Sequence, residues 1–366
     1  EKPYFAGCFT GCPRLKKVVI WRGIVYKKRV IISILMLTSL AILHALVDAV
    51  CASSVLGAIA DGVSYETLLY LVVVYNSLAF CTQWLTGLLL DKTGRDRFWL
   101  FVSLALLVCG ALLPLPVYAA VVLLGIGNSF FHVSAGRYVI LDSGGKAAPL
   151  GMFVAPGALG LGAGSLFPHQ VAPWAVTGLI LLGGAVFFLS RRWTLPETHP
   201  AEKEKPGWNQ TAVWCIVLVL FNVFGRSAAG GAVAPVWKET MTGFVLFYFL
   251  VFAGKFTGGF LMDKLGIVKT TSLAMISGVV LLYFFQERLA FSLAAQYAVN
   301  LMMPITLYMM VACCRHRPGL MFGLAASVLY PGSLISGFQH SFAVFLVLYL
   351  VCYVALLTAA ALLKRK

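Results

Sequence analysis

Long apolar runs alternate along the whole chain with short clusters of Gly, Pro, Asp, Lys and Arg. A helix crosses the hydrocarbon of a bilayer with about 20 consecutive, mainly apolar residues. Runs of that kind begin near Val30, Glu66, Phe98, Val117, Ala147, Trp174, Gln210, Thr242, Thr270, Leu289, Gly319 and Ser341. The pattern therefore predicts an all-α membrane protein with twelve transmembrane helices. The runs are continuous rather than alternating, which excludes a membrane β-barrel. Connectors such as Pro114 and Pro116 or Asp142-Ser143-Gly144-Gly145 carry turn chemistry and leave no room for a folded soluble domain.

Composition changes the picture only by exclusion. The 366 residues are 60% hydrophobic and 11% charged, whereas a soluble domain carries about 25% charged residues and a disordered chain combines high charge with low hydrophobicity. The net charge of +15 would suggest nucleic acid on a soluble domain. Here the basic residues sit between apolar runs, so no nucleic-acid partner is expected and their placement encodes orientation. They gather in residues 1–29, around Lys92, Arg95 and Arg97, around Arg191, Arg192, Lys203 and Lys205, and at Lys364, Arg365 and Lys366, on alternate connectors. Both termini are therefore expected in the cytoplasm, in a multi-pass protein of the inner (plasma) membrane.

Polar residues inside the runs follow a period of three. Buried polar groups are expensive in lipid and face a bundle interior or a watery cavity. His44 and Asp48 lie in the first run, Asn128 and His132 in the fourth, Asn222 and Arg226 in the seventh, Gln296 and Asn300 in the tenth. Each pair is spaced i, i+4, which places both side chains on one helix face. The third, sixth, ninth and twelfth runs hold no charged residue, Asn, Gln or His and read as lipid-facing. Asn76, Gln83 and Lys255 add polarity to the second and eighth runs.

The chain also repeats itself. GLLLDKTG at 87–94 returns as GFLMDKLG at 259–266, and Pro156-Gly157-Ala158-Leu159 as Pro331-Gly332-Ser333-Leu334. A six-helix unit written twice is the parallel repeat of many transporters. It divides the chain into a basic cytoplasmic or interfacial segment (1–29), a six-helix bundle (30–190), a cytoplasmic linker (191–208), a second six-helix bundle (209–363) and a basic tail (364–366).

Nine cysteines are scattered mostly singly. Cys8 with Cys12, and Cys313-Cys314 with His316, lack a second pair at structural-zinc spacing, so no metal site is expected. No nucleophilic triad or Walker loop is present; an enzyme, a cofactor and ATP drive are not expected.

The string Gly87-Leu88-Leu89-Leu90-Asp91-Lys92-Thr93-Gly94-Arg95 resembles the loop 2-3 signature of the major facilitator superfamily, and the likeness extends over residues 30–363. Leu90 and Asp96 depart from that signature. The resemblance implies two six-helix bundles that rock around a central site, with Gly87 allowing helix contact and Asp91, Arg95 and Asp263 forming cytoplasmic gate interactions; Gly259 is the repeat partner of Gly87. Span five partly resembles the family's antiporter motif, with Ala155 and Leu159 in place of two glycines. The Arg of many drug/proton antiporters would fall near Val121 and is absent. Gly127-Asn128-Ser129-Phe130-Phe131-His132 with Gly136-Arg137 resembles the fourth span of fosmidomycin-resistance-type exporters.

Together these residues describe a cavity rich in positive charge. Arg226 can bind a carboxylate or phosphonate bidentately and Lys255 acts as a point charge. His132, Asn128, Asn222, Asn76, Gln296 and Asn300 would complete substrate binding, with Tyr75 and Phe131 as apolar walls. Asp48 with His44 one turn away would carry the coupling proton, and a buried Asp48–Arg226 salt bridge is the purely structural alternative. The expected function is alternating-access transport of a small, anionic organic solute by a monomer, as proton-coupled export or antiport. The alternatives are proton-coupled uptake of an organic anion by a symporter, and a receptor or scaffold with the same fold that transports nothing. Arg137 and Asp142 read as structural or gating residues at the interface that pair with each other at i, i+5 or with loop groups.

Overall fold

A computed structural model describes residues 13–191, 209–230, 240–285, 287–335 and 342–364. Helix α1 (Pro13–Ser53) continues into a π-helical turn, Ser54–Ile59; α2 (Tyr65–Asn76) and α3 (Gln83–Thr93) are joined by a second one, Ser77–Cys81. Then come α4 (Asp96–Leu112), α5 (Val117–Asp142), the pair α6 (Ala148–Val154) and α7 (Pro156–Leu166), and α8 (Pro168–Ser190). The rest of the chain forms α9 (Gln210–Gly230), α10 (Met241–Leu265), α11 (Ile267–Phe285), α12 (Leu289–Asn300), α13 (Met302–Cys313), α14 (Pro318–Ser327), α15 (Leu329–Ile335) and α16 (Phe342–Lys364). Among the described residues there is no strand. Among the described residues, ten helical stretches are long and apolar enough to cross a membrane, while α4 has 17 residues and the apolar part of α11, Ile267–Leu282, is also shorter.

Local chemistry sets where the rods break. Pro156 has no N–H to continue the ladder, so the span divides into α6 and α7 at Ala155. Ser64 caps α2 by accepting from the Thr67 N–H at 3.3 Å, and Thr240 caps α10 by accepting from Gly243 at 3.0 Å. Helices α3 and α10 both end on a glycine in the left-handed region, Gly94 at φ 62° and Gly266 at φ 83°, a conformation that glycine alone adopts without penalty. These two positions are repeat partners. The two π-helical turns were not foreseen, because no breaker residue announces them.

Buried apolar side chains form two clusters. One is drawn from Met36 to Val186 with Leu307 and Phe322 added; the other runs from Cys215 to Ala360 with Ala147 added. The outward faces carry large apolar groups, including Trp174, Leu181 and Phe188 on α8, Phe284 on α11 and Val354 on α16. Apolar surface of this kind has lipid as its solvent.

Small residues let the backbones approach. A Cβ on Gly160 would run into the backbone of Ala45, and one on Gly164 would lie 2.6 Å from the Ala49 carbonyl oxygen, so α7 packs directly on α1. The same device sets α10 on the α12–α13 rod, where Gly258 meets the backbone of Leu301. Gly160→Val should lower the thermal unfolding midpoint in detergent by the equivalent of about 1–3 kcal/mol or more. Gly184→Ala, with open space around its Cβ position, should leave the midpoint unchanged.

Candidate functional site

The i, i+4 pairs of α1 and α5 meet. His44 Nε2 lies 3.3 Å from Asp48 Oδ2, His132 Nε2 lies 3.6 Å from Asp48 Oδ1, and the two imidazole Nε2 atoms are 2.8 Å apart. His44 Nδ1 donates to the Phe153 carbonyl at 2.8 Å, and His132 Nδ1 donates to the Asn128 carbonyl at 3.0 Å. Asn128 Nδ2 donates to Asp48 Oδ1 at 3.4 Å and to the Tyr75 hydroxyl at 3.2 Å, and lies 3.6 Å from the Cys51 thiol. His44, Asn128 and His132 are buried, whereas the Asp48 side chain keeps 19% exposure. Phe131 stands at the back with its ring centroid 6.1 Å from that of His44. Tyr75, expected only as an apolar wall, takes part through its hydroxyl. Among the described residues, His44, Asp48 and His132 are the one group of three that could hold a metal ion, their ligand atoms all within 4.8 Å of one another.

Gly157 makes this arrangement possible. A Cβ there would stand 2.5 Å from both Asp48 Oδ2 and His44 Nε2. Its repeat partner Gly332 packs in the same way on α9, against the Phe224 carbonyl and Ser227. Gly157 and Phe153 were not singled out as site residues, although the repeated Pro-Gly step marked their span.

The second half contributes charge. Arg226 is buried, with Nη1 donating to the Val299 carbonyl at 3.5 Å and Nη2 lying 3.4 Å from the Met303 sulfur. Among the described residues it forms no ion pair with a carboxylate, so the Asp48–Arg226 bridge is not formed. Lys255 lies within electrostatic reach of both Asp48 and Arg226. The neutral amides are not gathered with them. Asn222 donates to the Cys352 carbonyl at 2.9 Å on α16, Asn300 to Gln296 and Asn76 to Val72, each of the last two at 2.8 Å within its own helix. Gln296 is half-buried. A short amide in a helix finds a carbonyl one turn back, which removes it from a shared network.

One end of the molecule is closed by two matched contacts. Asp91, at the end of α3, accepts from the Gly319 and Leu320 N–H groups at 2.9 and 2.8 Å, at the start of α14. Asp263, at the end of α10, accepts from the Ala147 and Ala148 N–H groups at 2.8 and 2.9 Å, at the start of α6. Free N–H groups and the helix dipole both favour a carboxylate there. Gly87 and Gly259 allow the approach: a Cβ on either would meet the backbone of Gly319 or Ala147.

Arg137 completes the closure. Its Nε donates to Asp91 Oδ1 at 2.8 Å and its Nη1 to Asp96 Oδ2, all three side chains being buried. Asp142, expected as its partner, instead accepts from Ser33 Oγ at 3.2 Å. Arg95 is exposed and outside these ion pairs; it stands at the N-terminal boundary of α4, where its side chain makes no capping hydrogen bond. Cys314 Sγ lies 3.5 Å from His316 Nε2; Cys8 and Cys12 fall outside the described residues. An apolar cavity of about 70 Å³ between Met36, Leu100, Ala135 and Tyr138 also borders Asp96.

Removing one member of a buried ion cluster leaves an uncompensated charge, at a cost of about 3–5 kcal/mol. Arg137→Gln should therefore unfold at markedly lower temperature, whereas exposed Arg95→Gln should change stability by less than about 0.5 kcal/mol.

No family model matches the chain, and no curated protein matches it significantly. Solved structures do. The transporter FucP of the major facilitator superfamily, in its outward conformation, matches with a TM-score of 0.65 over 89% of this chain and 97% of its own, at 12% identity. A variant of the E. coli fucose:proton symporter FucP gives 0.59 over 90% and 97% at 10% identity. A bacterial homologue of the iron transporter ferroportin, outward-facing, gives 0.54 over 90% and 98% at 13% identity. At such identities the likeness carries the fold alone: the chain has the architecture of major facilitator superfamily transporters.

Proposed function

We propose that this chain is a secondary active transporter of a small organic anion, working by alternating access between a six-helix bundle at 30–190 and another at 209–363, joined by the linker 191–208. In this reading α4 and α11 cross the bilayer with the ten longer stretches. Both termini are cytoplasmic, and the chain is a monomer in the inner membrane. The Asp91 and Asp263 contacts then close the cytoplasmic side, with Gly87 and Gly259 at the crossing points.

The observation that carries the anion reading is Arg226, a buried guanidinium with Lys255 nearby and, among the described residues, no carboxylate bound to it. A buried cation needs a counter-charge, and a carboxylate or phosphonate cargo supplies one with bidentate geometry. Asn128, His132, Gln296, Asn300, Asn222 and Asn76 complete cargo binding in this reading, the last three by exchanging the backbone carbonyls they now bond for the cargo.

Coupling belongs to Asp48 and His44 in this proposal. Cargo that engages Lys255 weakens its hold on Asp48 and changes the affinity of that carboxylate for a proton. Export by antiport uses these residues with proton and cargo moving oppositely. Symport, the activity named for the fucose:proton symporter that shares the fold, uses the same residues with both moving together.

Reconstituted protein should take up an organic anion in response to a pH gradient. Arg226→Met should reduce transport at least 100-fold, and Asp48→Asn should keep cargo exchange while losing gradient-driven accumulation. Flux of organic cations through the wild type and through Arg226→Met alike would reverse the assigned charge of the cargo, and no flux of any solute would make the chain a receptor or scaffold.

A further inference from the structure

The tautomers of the two central histidines follow from their neighbours. A carbonyl oxygen only accepts, so His44 Nδ1 facing Phe153 O at 2.8 Å and His132 Nδ1 facing Asn128 O at 3.0 Å must both carry the hydrogen. In neutral imidazoles this leaves both Nε2 atoms as bare lone pairs, and these are the two atoms that face each other at 2.8 Å. Two lone pairs cannot be held there unless something positive lies between them. Asp48 aims one carboxylate oxygen at each, at 3.3 and 3.6 Å.

We propose that His44, Asp48 and His132 form a three-ligand binding site for a divalent first-row transition-metal ion of the zinc, cobalt or nickel kind. An Nδ1–H donated to a backbone carbonyl is the outer support that fixes metal-binding imidazoles. Around a tetrahedral ion with bonds of about 2.0–2.2 Å, ligand atoms stand roughly 3.3–3.6 Å apart. Each imidazole Nε2 stands at such a distance from a different oxygen of Asp48, so an ion takes both oxygens or one of them after the carboxylate turns, and the imidazole pair has to open by roughly half an ångström. Two nitrogens and one carboxylate suit zinc and its neighbours over magnesium or calcium, which take oxygen ligands. The partial exposure of Asp48 leaves the fourth position open to water.

Other candidate groups fall short of this one. Cys314 with His316, and the exposed Asp61 with His169 at 3.8 Å, supply two ligands each. The charges around the site also make the proposal specific. Lys255 is in electrostatic reach of Asp48 and opposes a second cation, while Cys51 and Tyr75 touch Asn128 rather than the imidazoles. The proposal goes beyond the transport reading and does not rest on it, because binding is measured without flux. The metal and the coupling proton are competitors for the same three atoms.

The test uses the full chain purified in detergent and stripped of metal with a chelator. ZnCl2 should raise the thermal unfolding midpoint and bind at one ion per chain by calorimetry, with MgCl2 inert. CoCl2 should give the intense visible bands of a four- or five-coordinate site, bleached by added ZnCl2. His132→Ala and His44→Ala should weaken binding on the order of 100-fold or more, Lys255→Met should tighten it, and Cys51→Ala should leave it unchanged. The cobalt spectrum of the wild type needs no variant to fold. Cobalt that keeps its pale six-coordinate spectrum, magnesium that acts as zinc does, or His132→Ala that binds zinc as the wild type does would each overturn the proposal.

Discussion

Two carboxylates hold the two halves of the chain together. Asp91 seats the start of α14 and Asp263 the start of α6, so each half lends an acid to a helix end of the other. The donors are repeat partners too, since Ala147 and Ala148 stand in the same relation to Gly319 and Leu320 as Asp91 does to Asp263. Nothing apolar could replace these contacts, because a helix end needs acceptors for its free N–H groups. The glycines at 87 and 259 follow from them: a carboxylate reaches a backbone N–H of the next rod only when the rods nearly touch. Arg137 then holds Asp91 and Asp96 in place.

The polar interior is built unevenly. The first half gathers its hydrogen-bonding groups into one tight knot on α1 and α5. In the second half Arg226 and Lys255 form no ion pair with a carboxylate among the described residues, and Asn222 and Asn300 bond backbone carbonyls. A molecule whose two halves share a fold thus differs most where they face each other. In the reading proposed above, a cargo anion and a metal cation would meet opposite walls.

Much of this was legible in the sequence. Most apolar runs gave helix starts to within a few residues, since bilayer thickness fixes their length; α1 begins at Pro13 and α8 at Pro168, ahead of the runs at Val30 and Trp174, because amphipathic turns continue a helix beyond its apolar part. The repeated strings placed Asp91 and Asp263 at equivalent helix ends. The i, i+4 spacing of His44 with Asp48, and of Asn128 with His132, put each pair on one face. Periodicity stops at the single helix, however. It says which side chains share a face and is silent on which neighbour that face meets, so it left Arg137 between Asp142 and loop groups and could not single out Asp91 and Asp96. It cannot foresee that Asn222 turns to Cys352, because an amide satisfied by a backbone carbonyl and one aimed at a ligand have the same spacing. The histidine tautomers depended on two carbonyl oxygens, one of them on a different span, and backbone groups leave no trace in residue identity.

Helix α6 is only seven residues long, roughly 10 Å from end to end. Its first N–H groups rest on Asp263, and near its last turn Phe153 offers the carbonyl that orients His44. The break at Ala155 gives this short rod an end of its own. A tilt of it would unseat the one end and swing the imidazole at the other, so the latch between the halves and the direction of a buried ring are joined as the two arms of a lever.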